Sequence, residues 1–192
     1  MTERRQTRIR ETLERRWPHF TLALDNVFDR HNVAAILRSC EAFGLTDVHL
    51  LFTYERYPKA SYRASAGAEK WLTIHRHSDD VELVRTLRQE GFQVLGTGHG
   101  PGATPSTQVD LTRRVAVVLG NEMRGLSPDV EAHLDGHIRV PMQGMVPSLN
   151  VSVAAAVILY EAWRQREACG LTLTPALPPL ARAALAERWK AK

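Results

Sequence analysis

The sequence predicts an α/β protein with a mainly parallel sheet and helices on both faces. Three observations carry that prediction. Strand-like and helix-like segments alternate through the middle of the chain, as crossover connections between parallel strands require. The chain has 192 residues and 44% hydrophobic content, enough for one well-filled core. No internal repeat divides it, and the basic ends flank a single core pattern.

The elements follow in order. The first twenty residues, "MTERRQTRIRETLERRWPHF", hold Arg4, Arg5, Arg8, Arg10, Arg15 and Arg16 and have helical composition. Ile9, Leu13 and Trp17 make a thin apolar stripe, and Pro18 is expected to end the helix. "TLALDNV" reads as a strand and "HNVAAILRSCEAFG" as a helix. Asn32 can cap that helix by accepting a backbone N–H. At about 100° per residue, Val33, Ile36, Leu37, Cys40 and Phe43 share one face. Arg38 points away from them, between Ala34, Ala35 and Ala42.

"TDVHLLF" reads as a second strand, and the polar stretch 53–70 as a long loop. "WLTIHRH" is a strand, "DDVELVRTLRQEG" a helix stopped by Gly91, and "FQVLGTG" a strand. "HGPGATPSTQ" is a loop, and "RRVAVVLGNE" is a strand running into another. Ser127 and Pro128 open a short helix as cap and first residue. "HIRVPM" is the last strand, and "VSVAAAVILYEA" the start of a long apolar helix. The tail, "PALPPLARAALAERWKAK", reads as a Pro-rich linker and a basic helix with Arg188 and Lys190. The expected organisation is a basic arm over 1–20, one α/β domain over 21–168, and a linker with a basic helix over 169–192.

Charge and composition narrow the function classes. The formal charge is +4, with the arginines gathered at the ends, which suits contacts to phosphates. Two cysteines, Cys40 and Cys169, are too few for a disulfide framework and fit a reducing cytoplasm. No apolar run reaches membrane-spanning length. No P-loop and no G-x-S-x-G is present, so kinase-like and hydrolase chemistry lose support. His133 and His137 straddle Asp135 and Gly136, and His75 and His77 have no Cys/His partners in sequence, so no metal site is expected.

Ligands of open α/β sheets collect beyond the carboxyl ends of strands. Four junctions lie there. Asn32 follows the first. "GTGHGPGATP" follows the second, with Thr97 and Gly98. "VVLGNEMRGLSP" follows the third, presenting Leu119, Gly120 and Glu122. "IRVPMQGMVPSLNVSVAAA" follows the fourth, with Ile138, Met142, Ser148, Leu149 and Asn150. This last loop is stiff, apolar and nearly uncharged, a lining suited to an adenine ring and a sulfonium. An ordinary helix start needs one of Ser148 and Asn150 as a cap; the other remains available to a ligand or to neighbouring loops.

Taken together, "HNVAAILRSCEAFG", "VVLGNEMRGLSP" and "VPMQGMVPSLNVSVAAAVILYEAWRQR" resemble motifs 1, 2 and 3 of the SpoU/TrmH family of ribose 2′-O-methyltransferases, within the SPOUT class. The resemblance covers roughly residues 20 to 168. It implies a deep trefoil knot at the carboxyl end of the sheet, a rare departure from unthreaded topology. It implies S-adenosyl-L-methionine bent in that knot, and a homodimer built on the motif 3 helix. It matches Arg38 to the arginine that activates the ribose hydroxyl, and Asn32 to the asparagine that helps hold it. Glu122 and Asn150 match the motif 2 and motif 3 polar positions. Thr97, Gly98, Leu119, Gly120, Ile138, Met142, Ser148 and Leu149 match cofactor-side positions. In its short length and basic ends the chain resembles the tRNA-acting members of that family, which implies tRNA as substrate and guanosine 18 of the D-loop as the expected target. Ribosomal RNA or another tRNA position is the nearest alternative, and a non-catalytic RNA-binding module is the alternative of another class.

Overall fold

The computed structural model describes residues 1–54, 65 and 67–192. Six helices and seven strands fall among them. In chain order these are α1 (Glu3–Glu14), β1 (Phe20–Asp25), α2 (Arg30–Ala42), β2 (Asp47–Leu51), β3 (Thr73–His77) and α3 (Asp80–Gln89). Then follow β4 (Gln93–Thr97), β5 (Thr104–Pro105), β6 (Val115–Leu119), α4 (Pro128–Glu131), β7 (Gly136–Arg139), α5 (Val151–Ala168) and α6 (Pro179–Lys190). The strands form one sheet in the order β3-β2-β1-β6-β4-β7-β5, and every pairing is parallel.

Burial on both faces explains the strand sequences. Every residue of β1 and β6 is buried, as parallel strands covered from both sides demand. Successive side chains alternate between two layers. Leu22, Leu24, Val117 and Leu119 pack with Ile36, Leu37 and Ile158 from α2 and α5. Ala23, Ala116 and Val118 pack with Leu83, Leu87 and Val130 from α3 and α4. The crossovers after β1 and β6 therefore leave on opposite faces. The carboxyl ends of these adjacent strands form the crevice where such sheets bind ligands.

The structure departs from the sequence expectations in several places. α1 stops at Glu14, and Trp17 joins the main core instead of the helix stripe, stacking on Phe20 at 5.1 Å. The loop after β4 contains a short strand, β5, which pairs with β7. The loop expected over 53–70 lies largely outside the described residues; its end, Ala68–Lys70, is a single 3-10 turn. The arm and the tail meet: Ile9 and Leu13 of α1 pack on Trp189 of α6, with Leu185 and Trp71 alongside.

Arg16 is the clearest correction. It was expected among the RNA-binding arginines, but it is 1% exposed. Its guanidinium donates to Glu41 Oε1 at 2.7 Å and to the Leu45 carbonyl at 2.6 Å, and lies 4.9 Å from the Trp189 ring. A buried cation must be paired and hydrogen-bonded, so this arginine joins α1, α2 and α6 and is not available to a phosphate.

A histidine cluster on β2 and β3 was also not expected. His49 is 2% exposed; its ring stacks on His75 at 4.7 Å and its Nδ1 lies 3.0 Å from His77 Nε2. His75 in turn bonds Asp47 at 2.8 Å. Burial pushes the His49 pKa down to about 3, helped by the neighbouring His75 and His77 and opposed by Asp47. Burial also lowers His77, whereas the hydrogen bond to Asp47 raises His75. Between the ordinary value near 6.5 and about 3, the unfolded chain binds a proton at position 49 and the folded chain does not. Stability from this group is therefore lost as pH falls through that window. His75 acts with the opposite sign. Thermal unfolding from pH 7 to pH 4 is expected to show a shallower loss in His49→Leu than in the parent chain; equal slopes would refute the assignment.

Candidate active site

Three loops meet above the ends of β1 and β6, and a buried asparagine organises them. Asn26 takes a left-handed conformation (φ 52°), which asparagine tolerates better than other residues with a Cβ. Its side-chain oxygen accepts from the N–H groups of Thr53 and Tyr54 at 2.9 and 3.0 Å. Its carbonyl accepts from Asn121 Nδ2 at 2.7 Å. Next to it, Asp25 accepts from the Ser127 N–H and hydroxyl at 2.6 and 2.8 Å. Ser127 does occupy the cap position of α4, but its hydroxyl serves Asp25 and not the helix.

The loop after β6 closes on itself. Asn121 and Gly125 exchange backbone hydrogen bonds at 2.8 and 2.9 Å, and Asn121 Oδ1 accepts from the N–H groups of Met123 and Arg124. Gly120 lies so close to the returning chain that a Cβ would stand 2.4 Å from the Gly125 carbonyl carbon. Only glycine fits there, because the obstruction is backbone.

This turn projects Glu122 onto the start of α2. Its carboxylate accepts from the Phe28 N–H (3.1 Å), the Asp29 N–H (3.3 Å) and Asn32 Nδ2 (2.8 Å). Asn32 Oδ1 then accepts from Asn150 Nδ2 at 3.1 Å. Asn150 caps α5, its Oδ1 accepting from the Ser152 N–H at 2.9 Å and hydroxyl at 2.6 Å. One relay thus joins the openings of α2 and α5 to the loop after β6. It also corrects one expectation: Asp29 and not Asn32 caps α2, accepting from the His31 N–H at 2.8 Å, and Asn32 serves the relay alone.

Beside the relay lies a cavity of about 340 Å³. Thr97, Gly98, Leu119, Gly120, Ile138, Met142, Ser148 and Leu149 all line it, together with Glu122 and Asn150. Its inner wall includes Leu126, Ala154 and Ile158, which the sequence did not single out. Leu126 was detectable as the one large apolar residue after the polar turn; Ala154 and Ile158 were read only as helix core. Glycines and apolar side chains share the lining with Thr97, His99, Asn121, Glu122, Arg139, Ser148 and Asn150. The apolar part of that lining fits an adenine ring and a thioether-like chain, and among the described lining residues Arg139 is the one guanidinium.

Arg38 stands apart. It lies six residues beyond Asn32, about 9 Å along the helix axis and on another side of it. It is exposed, does not line the cavity, and makes no hydrogen bond to the described residues. Arg4, Arg5, Arg8, Arg10 and Arg15 are exposed on and after α1. Lys190 is exposed and paired with Glu187, whereas Arg188 is half-buried and donates to Thr73 Oγ1 at 3.0 Å. Arg188 therefore secures α6 to the sheet edge with part of its charge. Among the described residues no group of three His, Cys, Asp or Glu side chains is arranged to hold a metal ion. No described helix is long and apolar enough to cross a membrane.

A parallel α/β sheet carrying a cavity beyond the ends of β4, β6 and β7, bordered by a polar relay, places the chain with the SpoU methylases. The SpoU rRNA Methylase family model matches residues 19–160, and the chain belongs to that family. It is 44% identical to a tRNA (guanosine(18)-2′-O)-methyltransferase of Thermus thermophilus, over 93% of this chain and 91% of that one. It is 38% identical to the Escherichia coli K12 protein of the same name, over 90% of this chain and 75% of that one. Its fold superposes on a TrmH/SpoU tRNA modifying enzyme of A. aeolicus with a TM-score of 0.91, at 34% identity, over 98% and 96% of the two chains. The Streptomyces viridochromogenes SpoU methyltransferase AviRb, solved in complex with AdoMet, aligns with a TM-score of 0.66 at 28% identity, over 81% and 62% of the chains.

Proposed function

We propose that this protein transfers a methyl group from S-adenosyl-L-methionine to a ribose 2′-oxygen of tRNA, at guanosine 18. The observation that carries the reading is the cavity: all eight cofactor positions implied by the resemblance line it, and so do Glu122 and Asn150, which Asn32 bridges. The choice of tRNA rests on relatives of that name matching nearly the whole chain.

Thr97, Gly98, Leu119, Gly120, Ile138, Met142, Ser148 and Leu149 would hold the cofactor, which when bound supplies an electrophilic methyl on a sulfonium. The chain must present the sugar oxygen and stabilise the charge it develops. Glu122 already accepts three hydrogen bonds, so its role is to orient Asn32. Asn32 and Asn150 hold the two helix openings in register around the cavity mouth. Arg38 is an exposed guanidinium on α2; it binds the phosphate beside the target ribose and stabilises negative charge on the 2′-oxygen. A guanidinium carries donors only and no acceptor, so Arg38 is not the group that takes the proton.

The two terminal helices, packed on each other, form one RNA-facing unit through Arg4, Arg5, Arg8, Arg10, Arg15 and Lys190. The protein works as a homodimer in the cytoplasm. Val153, Val157 and Tyr160 form an exposed apolar stripe on α5 beside Phe43, a face suited to a second copy. The knot implied by the motifs belongs to the same proposal.

The test is transfer of tritiated methyl to unmodified tRNA and to ribosomal RNA transcripts. Incorporation into tRNA alone is expected. Incorporation into ribosomal RNA alone would overturn the substrate, and none into either would overturn the activity.

A further inference from the structure

We propose that Phe28 is a stacking platform for a nucleobase of the RNA, set one hydrogen bond away from the relay. The inference rests on the proposed action on RNA and adds a binding residue to it.

Phe28 differs from the other phenylalanines. Phe20 and Phe92 are buried, and Phe43 and Phe52 pack against the core, but Phe28 is 66% exposed. Its position just before the α2 cap is where an apolar residue can staple a helix by packing on the residue four into it, here Val33. Val33 is fully buried against the core while Phe28 stays open, so a staple does not account for the ring.

The ring also stands on a rigid base. The Phe28 N–H is held by Glu122, the following N–H by the same carboxylate, and Asn26, two residues earlier, is bonded to the loops after β2 and β6. A side chain with two torsions on a fixed backbone loses little freedom when a ligand covers it. A second aromatic face grows from the same asparagine. The Tyr54 N–H donates to Asn26, the residue is 60% exposed, and the Arg124 guanidinium sits 5.9 Å from its ring centroid. Flat π faces with an adjacent guanidinium, at the edge of a polar site, match a base unstacked from an RNA loop. A base held on Phe28 brings its own ribose toward the relay.

The experiment compares the parent chain with Phe28→Leu, Phe28→Ala and Phe28→Tyr, all full length. Steady-state methyl transfer is read with unmodified tRNA. RNA binding is read separately, by fluorescence of tRNA carrying 2-aminopurine in the D-loop, and cofactor affinity by calorimetry. Leucine preserves a staple but offers no π face. Phe28→Leu and Phe28→Ala are expected to raise the tRNA KM and weaken RNA binding about tenfold, within the range of one lost stack. Phe28→Tyr should stay within about threefold of the parent, and cofactor affinity should not move in any variant. Leucine matching the parent, or tyrosine as poor as alanine, overturns the platform. If the parent chain binds tRNA but transfers no methyl, the activity reading fails, and the binding series still decides the role of Phe28.

Discussion

Arg38→Ala is expected to lower methyl transfer to tRNA by about two to three orders of magnitude, the usual loss for removing one donor that stabilises a developing oxyanion. The fold should scarcely notice. Arg38 is exposed and bonds none of the described residues, so its removal should change stability by less than about 0.5 kcal/mol. Cofactor affinity by calorimetry should also hold, because Arg38 does not line the cavity. Arg38→Lys should recover only part of the activity, since an ammonium keeps the charge but loses the planar two-pronged donor. If Arg38→Ala also abolishes cofactor binding, this division of labour between α2 and the cavity is wrong.

The second large effect concerns Asn150, where one side chain performs two tasks. Its oxygen caps α5 and its amide nitrogen feeds Asn32. Asn150→Asp separates them. The carboxylate remains a good cap, so unfolding temperature should stay near that of the parent. Toward Asn32, however, it places an oxygen against an oxygen. Rotating the Asn32 amide by half a turn removes that clash only by setting its oxygen against the Glu122 carboxylate. Either state breaks the relay. Methyl transfer should therefore fall about 10- to 100-fold, equivalent to about 1.4–2.8 kcal/mol in the barrier. Asn150→Ala should lose both the activity and roughly 1 kcal/mol of stability from the cap. Full activity in a stable Asn150→Asp enzyme would reduce this residue to a helix cap.

That dual role shows what the sequence made legible and what it hid. The alternation of strands and helices is local and periodic, so the α/β class and most elements were readable from residue patterns. The two polar residues before α5 signalled a cap plus something more, but local pattern could not say that one residue, Asn150, would do both. The cap of α2 was misassigned because "DRHN" offers two Asx side chains three residues apart, and both suit a helix start. The choice depends on Glu122, which lies 90 residues beyond Asn32 in sequence. Arg16 was hidden among five other arginines; its burial arises only when Trp189, from the far end of the chain, closes over it. The Asn26 hub, the histidine cluster and β5 likewise depend on partners from distant segments.

The central claim is that the relay and cavity deliver a methyl group to one ribose oxygen of tRNA. The most direct measurement uses two otherwise identical unmodified tRNA transcripts, one with guanosine at position 18 and one with dG18, incubated with labelled S-adenosyl-L-methionine. Close to one methyl per molecule is expected on the first and none on the second, because the accepting oxygen is missing. Equal labelling of the dG18 transcript would contradict the claim.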